Sequence, residues 1–299
     1  MSDRPTSFWL RLLKQRRERM ADEKLDLSTP IKWDSEEEKQ ATLAFFNAAF
    51  RAEESGLRQA HEIAGDIETW DPELAETLRL YGDEEGWHRQ LLTEFLVWLG
   101  GPDERPRPMG PTTRTFYKLY ARAKRPETIV LVNLMFETIG STTYRLALRT
   151  AKPHPAIRHM LTILTRDESF HVPLNVHFLR RVLEHDQVLR RGAPMGFESR
   201  LRLRAVYHTL SFALAASAAA SRRRAKKFDN IPFTTLARAY TEQLGRLFVN
   251  ADDLGFEPSP ALLYAFGLRR RDLEGFDDVT SVEAAERAAD RNRVVVEAL

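Results

Sequence analysis

An all-α fold is predicted by three observations. Apolar residues recur at alternating steps of three and four along most of the chain, strand signals are scarce, and helix starts are well marked. Ser35 followed by Glu38 forms a capping box. Asp71-Pro72, Arg125-Pro126, His154-Pro155 and Ser259-Pro260 place proline where a first helical turn tolerates its missing N–H.

Four long core helices follow in order. The first runs from about Ser35 to Asp66, with an inward stripe of Leu43, Phe46, Phe50, Glu53, Leu57, Ala60, Ala64 and Ile67. The second spans Asp71 to about Trp98 and turns Leu78, Tyr81, Glu85, His88, Leu92, Phe95 and Leu99 inward. The third, Pro126 to about Thr150, aligns Val130, Asn133, Glu137, Gly140 and Tyr144. The fourth, Pro155 to about Glu184, aligns Ile157, Leu161, Leu164, Glu168, His171, Asn175 and Phe178. Short loops join helices one to two and three to four. Helices two and three are joined by roughly 25 residues, far more than the usual two to eight, and Thr115 to Tyr120 reads as a short helix inside that crossover.

Three regions result. Residues 1–34 form an arm with a basic amphipathic helix, Phe8 to Arg17, which suits docking on the bundle or on a partner subunit better than a membrane. Residues 35–190 form the bundle. Residues 191–299 form further helices, broken at Asp229 to Pro232 and Asp252 to Pro260, and end in a charged tail from Ser281. The run Ala205 to Ala220 reads as a buried helix, too short to span a bilayer, which needs about 20 apolar residues. Arg222 to Lys227 is a positive patch, ordinarily a solvated helix end and otherwise a dock for an electron donor.

Composition narrows the function. The 299 residues are 43% hydrophobic, enough for a large core. Forty-five basic residues against 43 acidic ones leave a net charge of +2, which gives no case for nucleic acid. The absence of cysteine excludes disulfides, zinc–thiolate sites and iron–sulfur clusters. No secretory signal is visible, so a soluble, cytoplasmic protein is expected.

The chemistry resides in a repeat. Glu-x-x-His occurs as Glu85-Gly86-Trp87-His88 and again as Glu168-Ser169-Phe170-His171. A stripe glutamate precedes each phrase, Glu53 by 32 residues and Glu137 by 31. Positions i and i+3 share a helix face, so Glu and His of each phrase aim at one point. Four carboxylates and two imidazoles from four helices make a site for two metal ions. As a bare ion-pair network, two imidazoles would leave buried charge uncompensated at several kcal/mol per ion. Hard oxygen and imidazole donors suit iron, manganese or a mixed pair. Glu54 competes with Glu53, but Glu53 keeps the apolar register. Glu84 and Asp167 immediately precede the phrases and are candidates to accept the second N–H of the ligating histidines. His61, Tyr81 and Tyr144 read as ordinary core or partly buried residues, and Trp87 and Phe170 as packing between helices. Pro173 should kink or widen the fourth helix. Gly56 and Gly140, each one turn after a stripe glutamate, either make room for a cavity or allow close helix packing.

The series Glu53, Glu85-x-x-His88, Glu137, Glu168-x-x-His171 resembles the ferritin-like carboxylate-bridged dimetal superfamily over about residues 35–185. The phrase Arg166-Asp167-Glu168-Ser169-Phe170-His171 is similar to the form in its ribonucleotide reductase and desaturase branch. The resemblance implies a ferritin-like four-helix bundle with a long crossover. It also implies a non-haem diiron centre in which Glu85 and Glu168 bridge, Glu53 and Glu137 are terminal, and His88 and His171 each hold one metal. Leu164 stands where the arylamine N-oxygenase branch has a further histidine, the chain outruns a storage ferritin, and rubredoxin-type cysteine pairs are missing. The expected function is an O2-dependent oxidase or oxygenase acting on a small organic substrate, apolar or aromatic, with an external electron donor. A homodimer is compatible with this, and a membrane or nucleic-acid partner is not expected. The alternatives are a metal-handling or peroxide-scavenging protein (ferroxidase, dimanganese catalase or rubrerythrin-like peroxidase) and a metal-binding relic without turnover. No organic cofactor site and no catalytic residue beyond the ligands is indicated.

Overall fold

The computed structural model describes residues 4–108, 114, 120, 123–150, 154–193, 195–229, 231–250, 263–264 and 268–273. Among these residues there are seven α-helices and no strand, and the packing is that of a helical bundle. In chain order they are α1 (Thr6–Asp22), α2 (Glu36–Ile67), α3 (Pro72–Gly100), α4 (Pro126–Thr150), α5 (Pro155–Leu189), α6 (Phe197–Asp229) and α7 (Phe233–Asn250). A short 3-10 turn covers Arg270–Asp272. The chain divides into two compact units, residues 1–129 with 154–159, and residues 130–153 with 160–299.

In the first unit the helix starts follow the capping logic. Ser35 accepts a hydrogen bond from the Glu38 N–H at 3.2 Å, and the Glu38 carboxylate reaches back to the Asp34 N–H at 2.9 Å. Asp71 caps α3 by accepting from the Leu74 N–H at 3.0 Å, with Pro72 in the first turn. Gly101, at φ 108°, closes α3 by donating its N–H to the Val97 carbonyl. A side chain at the neighbouring Gly100 would strike Glu104 at 2.5 Å, so the chain leaves the helix only through a bare backbone. Arg51 of α2 then anchors the start of the crossover through the carbonyls of Pro106 and Arg107, while Asn47 accepts the Arg107 N–H. Of the helix expected at Thr115 to Tyr120, residues 115–119 lie outside the described residues.

The arm docks on α3. Trp9, Leu13, Arg16 and Met20 repeat at four, three and four, and all are buried. On either side of that stripe, Lys14 pairs with Glu76 at 2.8 Å and Arg17 with Asp83 at 3.5 Å.

In the second unit α5 runs unbroken through Pro173. Proline lacks the N–H that would bond the Ser169 carbonyl, so one rung is missing inside an otherwise continuous helix. The helix continues five residues past the expected end at Glu184, because nothing in the sequence stops it before Arg191 and Gly192. Those two take positive φ (53° and 81°), and the Gly192 N–H returns to the Gln187 carbonyl. The reading of Ala205 to Ala220 as a buried helix fails over its described part. Tyr207, Leu210 and Ser211 are buried, but Ala205, Thr209 and Phe212 face outward, so this stretch of α6 packs by one side only. The side chains of Arg222 to Lys227, the break at 252–260 and the tail from Ser281 lie outside the described residues. No described helix is long and apolar enough to cross a membrane.

Candidate metal centre

The stripes expected on α2 to α5 are buried at nearly every position, Leu57 and Gly140 being half-buried. The polar members are as buried as the apolar ones. Glu53 is 1% exposed, Glu85 2%, His88 0%, Glu137 7%, Glu168 4% and His171 0%. Ionised groups are not taken out of water in such numbers without strong compensation.

Each half brings a glutamate to a histidine. In the first unit His88 Nδ1 lies 3.2 Å from Glu53 Oε2. In the second, His171 Nδ1 lies 3.4 Å from Glu137 Oε2 and 3.7 Å from Glu168 Oε2. Two donors each about 2.1 Å from one ion and about 90–110° apart are about 3.0–3.4 Å from each other. Both Glu–His separations therefore fit two ligands of a common ion, as well as a direct contact. In the first unit Glu53, Glu85 and His88 can each offer a ligand atom within 4.8 Å of the others, and in the second Glu137 and His171 can do the same. The cluster is compatible with a carboxylate-bridged dimetal site. Its donor set fits as well, since four carboxylates balance the charge of two divalent ions and oxygen with imidazole suits iron or manganese.

The neighbouring glutamate faces elsewhere. One residue further round α2, Glu54 points to the surface and pairs with Arg51 at 2.6 Å, with 38% of its side chain exposed. Gly56 is explained by Glu85. A Cβ there would sit 3.2 Å from the Glu85 Cγ, Cδ and Oε2, so the missing side chain seats the Glu85 carboxyl rather than opening a void. At Gly140 an added Cβ would meet Tyr144 and Glu168 only at 3.6–3.8 Å, ordinary contact.

Glu84 and Asp167 are both buried, and each receives an arginine fork. Arg16 of α1 binds Glu84 through Nε at 3.0 Å and Nη2 at 3.1 Å. Arg166 binds Asp167 through Nε at 2.7 Å and Nη2 at 2.6 Å. Arg16 was not singled out by sequence reasoning. The available signal was its place on the stripe Trp9, Leu13, Arg16, Met20, where an arginine requires a buried anion. His61 is partly exposed and faces Asp83 at 3.3 Å, apart from the cluster. Tyr81, Tyr144 and Phe170 are buried and Trp87 half-buried, with Trp87 and Phe170 packed on the histidines that follow them.

No protein-family model matches this chain, and neither a curated protein nor a solved structure matches it.

Proposed function

We propose that the chain is an O2-dependent non-haem diiron oxidoreductase, an oxidase or oxygenase that acts on an organic substrate beside the metal pair. The single observation that carries this reading is the burial of four glutamates and two histidines, with Glu53, Glu85 and His88 drawn together in one unit and Glu137, Glu168 and His171 in the other. Two iron ions held there would supply the electrons that begin the reduction of O2.

The rest is the work of side chains. Glu53 with His88, and Glu137 with His171, would each hold one metal ion. Glu85 and Glu168 would complete the donor set. Phe46 and Phe50 precede Glu53 by one and two turns, Leu134 precedes Glu137 by one, and Leu161 and Leu164 precede Glu168, all buried. These residues keep the ligands away from bulk water and favour an apolar or aromatic substrate moiety. Inserting one atom of O2 into a C–H bond leaves the other to become water, which consumes two electrons and two protons, so an external donor is part of the proposal. One observation favours the scavenging alternative instead: the space beside Gly56 is taken by the Glu85 carboxyl rather than left open for a substrate.

The test is metal analysis of protein from iron-supplemented cells, followed by an optical spectrum after reduction and exposure to O2. Near two irons per chain, rapid reoxidation and oxidation of an added organic substrate support the oxygenase. Fast peroxide turnover without organic oxidation selects the scavenger. A folded chain that cannot be loaded with metal refutes both.

A further inference from the structure

We infer that α1 is a working part of the metal centre, and that Arg16 is the positioning residue through which α1 docking and metal binding support each other. The inference rests on the dimetal reading above. Arg16 is 8% exposed, and its Nε lies 3.0 and 3.3 Å from the two Glu84 oxygens, with Nη2 3.1 Å from Oε2. A planar fork meeting a carboxylate through two nitrogens fixes orientation as well as distance. Glu84 shares a peptide bond with Glu85, and His88 follows one turn later. A rotation or slide of α3 that moves Glu84 therefore moves both ligands.

The grip is built to last, because the stripe that carries Arg16 also buries Trp9, Leu13 and Met20. Glu85 in turn has little freedom on its other side, where it packs against the bare backbone of Gly56. The second phrase is held differently. Asp167 takes its fork from Arg166, its neighbour in the same helix. One of the two acids thus receives a fork from its own helix, and the other receives one from a helix 68 residues away in sequence. Whatever fixes Glu85 in its ligating pose favours the docked α1, and docking favours that pose by the same factor.

The experiment titrates the full chain with cobalt(II), read by its visible ligand-field bands, in wild type, Arg16→Gln, Arg16→Lys and the double variant Arg16→Gln/Glu84→Gln. Wild type is expected to take two ions. Arg16→Gln is expected to keep one tight ion and to bind the other roughly tenfold more weakly with altered bands, within the usual span of coupling. Arg16→Lys should fall between, and the double variant should recover because no buried carboxylate then lacks its fork. Two tight ions with unchanged bands in Arg16→Gln would make Arg16 a structural clasp and overturn the inference alone. A wild type that binds no cobalt overturns it together with the dimetal reading. Hydrogen exchange of wild type decides the matter even if Arg16→Gln does not fold. Slower exchange of the amides from Trp9 to Met20 on metal loading supports the coupling, and unchanged exchange overturns it.

Discussion

Replacing Gly56 by alanine separates a ligand seat from ordinary helix chemistry. Alanine is the better helix residue by about 1 kcal/mol, so propensity alone predicts a more stable apo chain. The added Cβ, however, would stand 3.2 Å from three atoms of the Glu85 side chain, and the carboxylate must retreat by a few tenths of an ångström. Donor groups need placement within about 0.5 Å of the productive geometry, so that retreat uses much of the tolerance. Gly56→Ala should therefore leave apo stability within about 1 kcal/mol of wild type while weakening metal binding by roughly 10- to 100-fold, as misoriented ligands do. Gly65→Ala on the same helix meets nothing within 4 Å, and Gly140→Ala meets Tyr144 and Glu168 only at ordinary distances. Both should bind metal normally. The assay is thermal unfolding of the apo chains beside anaerobic titration with iron(II) or manganese(II). Wild-type affinity in Gly56→Ala, or an equal loss in Gly140→Ala, would refute the seat.

Glu53→Ala should lose at least one metal ion while Glu54→Ala stays near wild type, as metal analysis will show, because Glu53 meets His88 whereas Glu54 turns to Arg51. Leu13→Ala should cost about 2–5 kcal/mol by denaturant unfolding, whereas Lys14→Ala, which breaks a half-exposed pair, should cost under about 1 kcal/mol. Metal at a hundredfold excess over its dissociation constant should stabilise the chain by about 2.7 kcal/mol, so a chelator should lower the melting temperature; an unchanged melt would argue against a native-state site. Burial, and secondarily Arg204, hold His208 below its ordinary value of 6.5. The unfolded chain then binds more protons below that pH, so stability present above 6.5 should fall as the pH drops toward the folded-state value. His208→Gln should flatten that slope in unfolding measured across pH.

The helices and the burial of the six polar residues were legible because both depend on local periodicity. A glutamate at step three or four on an apolar stripe is buried wherever the helix packs, and a one-residue rotation was enough to send Glu54 to Arg51 at the surface. The far end of α5 was not legible, since no apolar stripe marks Glu184 to Leu189 and the stop is a backbone conformation at Arg191 and Gly192. Gly56 was ambiguous for a related reason. The sequence reveals a missing side chain but not what occupies its place, and that depends on how α2 and α3 are rotated against each other. Arg16 escaped because its meaning depends on Glu84, which no spacing rule connects to it. The one-sided packing of α6 was hidden by composition, because small residues look buried whether or not anything covers them.

The separation of 68 residues between Arg16 and Glu84 has a consequence in time. A chain emerging N-terminus first delivers α1 before the helix it grips exists, so α1 has no surface to bind until Met20 and Trp9 can meet a finished α3. The α2–α3 hairpin, joined by a four-residue turn, closes a much shorter loop and gains its contacts first. During that interval the first phrase would be assembled but unlatched, with its face to the solvent on the side α1 later covers. An ion arriving then would meet Glu85 and His88 before Arg16 had gripped Glu84, so a nascent chain and a finished one would load in different orders.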